Sequence, residues 1–407
     1  MQKFLDSVKL ALASIWAGKL RSFMMVLGNI VAVTSIIAVV SLIRGMDGYV
    51  SDAILTDVGA GTFKVERMGP TTSEEQEEKQ RNNPRITLKE LDTIQKAGDA
   101  VVAVMAQANS GAPVVYHDEQ LEMVQIRGVS KEYLEFAGYD PIQGRVISGF
   151  EVEHARPVAY VGFSTAERLF KGASPLDKFI QVRGVHFRVI GVNEEKGSLF
   201  GNSQDEFVVV PLDNFQKLFG SRRSLELTVK PRDPLQIEKT MDEVRVALRT
   251  QRQLKPKEDD NFGMYTSETL MNLFRSFTAG IFAVLIGVVS LSLVVGGVVI
   301  MNIMLMVVSE RTREIGLRKA LGARKRDIIW QVLTESTTLS VVGGLIGTTL
   351  GFTTALIVSR MTPIPAKVEI WSVILGIGMT AVVGLFFGLY PAIRAASLDP
   401  IEALRRE

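Results

Sequence analysis

Residues 275–327 read RSFTAGIFAVLIGVVSLSLVVGGVVIMNIMLMVVSERTREIGLRKALGARKRD. Between Arg275 and Glu310 lie 34 consecutive residues without a charge. At 1.5 Å per residue such a helix reaches about 50 Å, while about 20 apolar residues cross the roughly 30 Å hydrocarbon layer of a bilayer. The stretch therefore predicts a membrane-spanning helix whose excess length projects beyond the membrane as a stalk. Four buried helices of a soluble protein would be the alternative, but soluble helices seldom stay apolar on every face for this long. Past Glu310 the character reverses, with Arg311, Arg313, Arg318, Lys319, Arg324, Lys325 and Arg326 in quick succession.

Three further uncharged runs qualify as spans: 22–43, 336–359 and the run enclosed by 370–394. Lys3, Lys9, Lys19 and Arg21 precede the first, and Arg394, Arg405 and Arg406 follow the last, whereas the loop at 360–369 holds only Arg360 and Lys367. The positive-inside rule then puts both termini and the basic loop in the cytoplasm. The expected organisation follows. An amphipathic N-terminal helix at 1–21, with Trp16 at the interface, precedes the first span at 22–43. An extracytoplasmic domain with stalk ends takes 44–275, and the second span with its stalk takes 276–309. A cytoplasmic loop at 310–327, the third span at 328–359 and a short external loop at 360–369 come next. The fourth span at 370–393 and a cytoplasmic tail at 394–407 complete the chain. The fold class is thus an α-helical membrane protein with four transmembrane helices and a large α+β extracytoplasmic domain.

That domain reads as α+β because β-branched runs at 114–116, 123–126, 158–161, 207–210 and 225–229 alternate with helical patterns. Residues 179–192 predict a hairpin turning at Arg183 and Gly184. Thr87 with Glu90, and Ser164 with Glu167, match the capping box that opens a helix, and 234–254 is a charged amphipathic helix. The glutamate-rich stretch at 69–84 predicts an exposed flexible loop. Two lobes are expected. A net charge of +2 gives no case for nucleic acid, the absence of cysteine rules out disulfides and thiolate chemistry, and His117, His154 and His186 are too scattered for a metal site. No G-x-S-x-G, H-E-x-x-H or comparable catalytic constellation occurs. The domain is expected to bind or transmit rather than catalyse. In the spans, Gly343, Gly347 and Gly351, and likewise Gly384 and Gly388, recur every four residues, a small-residue face that lets helices pack closely and could form the seam between two copies.

The basic loop SERTREIGLRKALGA, the ending GLYPAIRAASLDPIEALRRE at 388–407 and the start KLRSFMMVLGNIVAVTSII at 19–37 together resemble the MacB-like, FtsX-superfamily ABC permeases. Their order along the chain agrees with the derived topology. The resemblance implies a MacB-like periplasmic core between the first two spans. It also implies a permease dimer, of two copies or with a sister permease, in a bacterial inner membrane. Two copies of a cytoplasmic ABC ATPase would bind the ATP and magnesium, and a periplasmic adaptor could join outside. By position, Glu310, Arg311, Arg313, Glu314, Ile315, Gly316, Arg318 and Lys319 would contact the ATPase, supported by Pro391, Arg394, Asp399 and Pro400 in the tail. No G-x-x-x-x-G-K-[ST] occurs in these residues, so the ATPase is expected to be a separate polypeptide, with no cofactor held by this chain. Export is the expected work. Lipoprotein release, control of cell-wall hydrolases as in FtsX-like proteins, and a sensor or scaffold without an ATPase are the alternatives.

Overall fold

The computed structural model describes residues 19–71, 73–136, 141–199, 202–361 and 369–405. The amphipathic helix expected before the first span falls largely outside them. Helix α1 runs Lys19–Val58, followed by β1 (Phe63–Glu66), α2 (Glu74–Arg81) and α3 (Leu88–Gln95). The long hairpin β2 (Val101–Tyr116) and β3 (Glu119–Val129) leads to α4 (Tyr133–Phe136), β4 (Pro141–Gly144) and α5 (Gly149–Glu153). Next come β5 (Val158–Val161), α6 (Phe163–Phe170), β6 (Phe179–Val182), β7 (Val185–Asn193) and the minimal hairpin β8 (Ser198–Leu199) and β9 (Asn202–Ser203). Strand β10 (Phe207–Pro211), α7 (Leu212–Phe219), β11 (Glu226–Pro231), α8 (Ile237–Gln251) and β12 (Gly263–Thr266) complete the domain. Four helices and a terminal turn follow: α9 (Ser267–Glu310), α10 (Thr312–Ala320), α11 (Lys325–Met361), α12 (Ile370–Ser397) and α13 (Pro400–Arg405). The chain forms two compact units, Tyr49–Ser276 and the combination of Met1–Gly48 with Phe277–Glu407.

In the first unit one mixed sheet runs β12-β1-β11-β2-β3-β10-β5-β7-β4, with β6 beside β2 and β7. The two expected lobes are therefore joined by continuous strand pairing. Side chains alternate across a strand, and on β2 and β3 the alternation separates two chemistries. Val104, Ala106, Ala108, Val124 and Ile126 are buried in the main core with Leu91 and Ile94 of α3, Leu169 of α6, Phe215 of α7 and Val244 of α8. Each such aliphatic or aromatic burial contributes roughly 1.5–3 kcal/mol. The intervening residues, Met105, Gln107, Asn109, Gln125 and Arg127, are mostly polar and belong to the other face.

The hairpin expected at 179–192 forms as β6 and β7, with Arg183 at φ 47° and Gly184 at φ 87°, the paired positive φ of a type I′ turn. Thr87 and Glu90 make the expected capping box. Two expectations fail. The stretch 69–84 contains the helix α2 instead of an open loop, although none of that helix is buried. Glu75–Lys79 and Glu77–Arg81 ion pairs, each 3.1 Å, stitch it at i,i+4, and its acids lead while its bases trail, as the helix dipole favours. Ser164 and Glu167 do not form a capping box, because α6 is capped by Gly162, two residues earlier. Gly162 is pinned there by its N–H donating to the Phe207 carbonyl at 2.9 Å. The second capping box is Ser148 with Glu151, opening α5.

Glu151 also takes both arms of Arg145 at 2.7 Å. Arg145, and then the Ser148 N–H and hydroxyl, hold its carboxyl down to about 2 against the opposing effect of burial. A carboxyl depressed in the folded state stabilises above the ordinary glutamate range, and that contribution is lost as pH falls through the folded value. Because Arg145 is half exposed and partly solvated, the contribution is about 2 kcal/mol rather than the full shift. Glu151→Gln is expected to lower domain stability by about that amount at pH 7. Denaturant titrations of the two proteins should converge as pH falls from about 4.3 towards 2.

In the second unit α1, α9, α11 and α12 are each long and apolar enough to cross a membrane, and they share a core of Met25, Ile30, Ile300, Met304, Leu339 and Val383. The glycine stripes meet partners inside the chain. A Cβ on Gly343 would lie 2.6 Å from Val26, one on Gly347 2.8 Å from the Ile30 carbonyl oxygen, and one on Gly351 2.9 Å from Ile37. Gly384 and Gly388 press on Ser340 and Ser336 in the same way. All five are buried, so the face that could form a seam between two copies is occupied by α1 against α11 and by α11 against α12. Close approach also exposes backbone acceptors: Thr34 Oγ1 donates to the Gly347 carbonyl at 3.1 Å and Ser336 Oγ to the Gly384 carbonyl at 3.0 Å.

Candidate functional site

At the end of α9 the chain bends at Arg311 and enters α10, a short helix held on three sides. Arg311 Nη1 pairs with Glu335 Oε1 of α11 at 3.2 Å, and the glutamate side chain is only 15% exposed. A carboxylate so covered needs a cation, so this pair fixes where α9 ends relative to α11. Lys319 Nζ donates to the carbonyl oxygens of Ala396 at 2.9 Å and Leu398 at 2.5 Å. Those carbonyls close α12, where the helix leaves acceptors unsatisfied and its dipole is negative. Gly316 meets α13: a Cβ there would fall 2.6 Å from that of Ala403. Thr312 and Ile315 are buried too, Ile315 in one cluster with Ala392, Ala395 and Ala396.

The tail residues complete this support. Pro391 is buried within α12, Asp399 Oδ1 accepts the Ile401 N–H at 2.8 Å to cap α13, Pro400 begins that helix, and Arg394 is exposed.

The other side of α10 is bare. Arg313, Glu314, Leu317, Arg318 and Leu321 are all exposed, Leu321 by 81%. They fall at i, i+1, i+4, i+5 and i+8, which is one helical face. Among the described residues, Arg313, Glu314 and Arg318 make no ion pair. Of the eight loop residues expected to contact a partner, Glu310, Arg313, Glu314 and Arg318 face outward. Arg311, Ile315, Gly316 and Lys319 face inward or brace the loop. Leu317 and Leu321 were missing from the expected contact set. The four-residue step from Arg313 through Leu317 to Leu321 was the available signal. Two exposed leucines between charges form a small apolar patch with a polar rim, the composition of a protein-binding surface. Among the described residues no group of three or more His, Cys, Asp or Glu could hold a metal ion.

Residues 22–247 match the MacB-like periplasmic core domain, and residues 286–400 match the FtsX-like permease C-terminal family, which includes all of α10. The chain belongs to the MacB-like, FtsX-type permease family. The permease is 33% identical over 393 residues to the macrolide export ATP-binding/permease protein MacB of Bdellovibrio bacteriovorus, covering 96% of this chain and 60% of that protein. It is 32% identical to the ABC transporter permease YknZ of Bacillus subtilis, with 99% of each chain covered. The periplasmic region of MacB from Actinobacillus actinomycetemcomitans superposes on 55% of the permease at 19% identity and a TM-score of 0.45, covering 98% of that structure. The permease thus spans about 60% of the length of the MacB relative. It is a multi-pass membrane protein of the ABC transporter permease class.

Proposed function

We propose that this permease is the membrane subunit of an ATP-driven export machine, and that the outer face of α10 receives an ABC ATPase in the cytoplasm. The bare face of Arg313, Glu314, Leu317, Arg318 and Leu321 carries the reading. Its inner side is locked to α11, α12 and α13, so a push on α10 is a push on the bundle. Helix α9 then runs unbroken from Glu310 back to Ser267, a rod of about 65 Å. In this reading two ATPase subunits bind ATP and magnesium, and their closure moves α9 and the extracytoplasmic domain. The permease sits in the cytoplasmic (inner) membrane with both termini inside, and the domain follows span one to the outside, where an adaptor could dock. The name of the YknZ relative, an ABC transporter permease, supports work with an ABC ATPase, and the name of the MacB relative supports export as the work done.

Gentle detergent extraction of the tagged permease tests this. Co-purification of an ABC ATPase with nucleotide hydrolysis bears the reading out. Recovery of the permease alone, under conditions that preserve other membrane complexes, points to a sensor or scaffold instead.

The second permease copy meets α9 in this proposal. Phe277, Ile281, Val284, Val288, Leu291 and Val295 are each more than half exposed and recur at alternating four and three residues, the period of a coiled-coil seam. The chain has no cysteine, so one introduced thiol reports cleanly. Leu291→Cys is expected to yield an oxidised dimer in membranes, and Ile286→Cys, off the stripe though exposed, is not. The reverse pattern on gel electrophoresis would move the seam to another face of α9.

A further inference from the structure

We propose that the extracytoplasmic domain binds an anion-headed amphiphile, a phosphate or carboxylate on an apolar body, in a cavity between the end of α1 and the polar face of the sheet. The cavity encloses about 670 Å³, within the range of small-molecule sites. Its apolar walls are Leu55 and Val58 of α1, Met105 of β2, Phe207 of β10, and Tyr133 and Phe136 of α4.

Three cations line the same space: Arg127, Lys196 and Lys230. The Arg127 guanidinium stacks on Phe207, 4.6 Å from the ring centre, and donates twice to Gln125 Oε1, at 3.0 and 2.6 Å. Both contacts orient the group and neither neutralises it. Among the described residues it has no carboxylate partner. Lys230 Nζ reaches the backbone carbonyl of Glu135 at 3.2 Å, again a neutral acceptor. Lys196 stands on a loop whose N–H groups at 196 and 197 both donate to the buried Asp205 carboxylate. Burial pushes its ammonium down, with the like charge of Arg127 adding to the effect and Glu194 and Asp205 opposing it. Glu135 is the lining carboxylate among the described residues, so Arg127 and Lys230, whose contacts are to neutral acceptors, outnumber it even with Lys196 offset by Glu194 and Asp205. A polar sheet face with surplus positive charge beside an apolar wall matches a ligand with both characters. The anion takes charge-assisted hydrogen bonds from a preset guanidinium, and the body displaces water from the exposed Leu55 and the half-buried Phe136, over a floor of buried Val58, Met105 and Phe207.

The site stands apart from the ATPase reading, and its test needs no ATPase. The full chain in detergent is titrated with dihexanoyl phosphatidate, with dihexanoyl phosphatidylcholine and with inorganic phosphate, and bound mass is counted by native mass spectrometry. One phosphatidate per chain is expected, bound about ten-fold or more weakly by Arg127→Gln and by Lys230→Glu. Lys230 is exposed, so its reversal leaves the fold intact, and Lys89→Glu on the far side of the sheet serves as the unaffected control. Phosphatidylcholine binding as tightly as phosphatidate overturns the proposal, because the charge is then not read. Inorganic phosphate binding equally tightly makes this a small-ion site and overturns the amphiphile. Unchanged affinity in both variants places the ligand elsewhere.

Discussion

Arg318→Glu is expected to reduce recovery of the ABC ATPase with the purified permease by at least about ten-fold, equivalent to roughly 1.4 kcal/mol. Arg318 lies on the exposed face of α10 between Leu317 and Leu321 and makes no ion pair among the described residues. Its charge is therefore available to a partner, and reversal replaces attraction by repulsion without leaving a buried group unpaired. Electrostatic pairs at interfaces are sensitive to such reversals, and the effect grows at low salt. Glu314→Lys, four residues away on the same face, should act in the same direction. The thermal stability of the permease alone should hardly change in either variant. Lys319→Met provides the contrast. Its ammonium caps the carbonyls of Ala396 and Leu398, so its loss should loosen the tail to protease before it affects ATPase recovery. Full ATPase recovery with both charge reversals would mean that the ATPase does not dock on this face.

The second large effect is expected in the membrane. Gly347→Leu should cost about 3 kcal/mol or more, because the added side chain starts where the backbone of α1 already stands. Its first carbon would lie 2.8 Å from the Ile30 carbonyl oxygen and 2.9 Å from Val33 Cβ. Neither can move far without separating α1 from α11 and breaking the Thr34 to Gly347 hydrogen bond. The outcome is read as loss of monodisperse protein in detergent and a lowered melting temperature. Gly378→Leu is the control, since a Cβ there meets nothing within 4 Å on an exposed side of α12. A Gly347 variant as stable as the Gly378 variant would show that the α1–α11 contact does not hold the bundle together.

Much of this arrangement was legible before the tertiary structure. The hairpin at Arg183 and Gly184, the capping box at Thr87 and the charged helix expected at 234–254, found at Ile237–Gln251, all depend on neighbours close in sequence. The failures have a common origin. Ser164 and Glu167 have capping-box spacing, but the pairing of β5 with β10 starts the helix at Gly162. The glutamates at 74–78 look like a solvated loop until their i,i+4 bases and the hydrogen bonds from Gly69 to Gln80 and from Asn83 to Arg67 are seen together. The glycine stripes announced close packing, but the sequence could not say which helix would fill them.

The sequence by itself determined the four spans, because a bilayer demands a long uncharged run and that requirement is met or missed locally. It also determined the place of the basic loop and the α+β character of the domain between spans one and two. Only the tertiary structure decided which side of α10 is bare, that Lys319 is a brace, and that Arg127, Lys196 and Lys230 share one cavity. Those results rest on strand register and helix contacts between residues far apart in the chain. A side chain's chemistry is written at its own position, but what it faces is set by the other segments that fold against it.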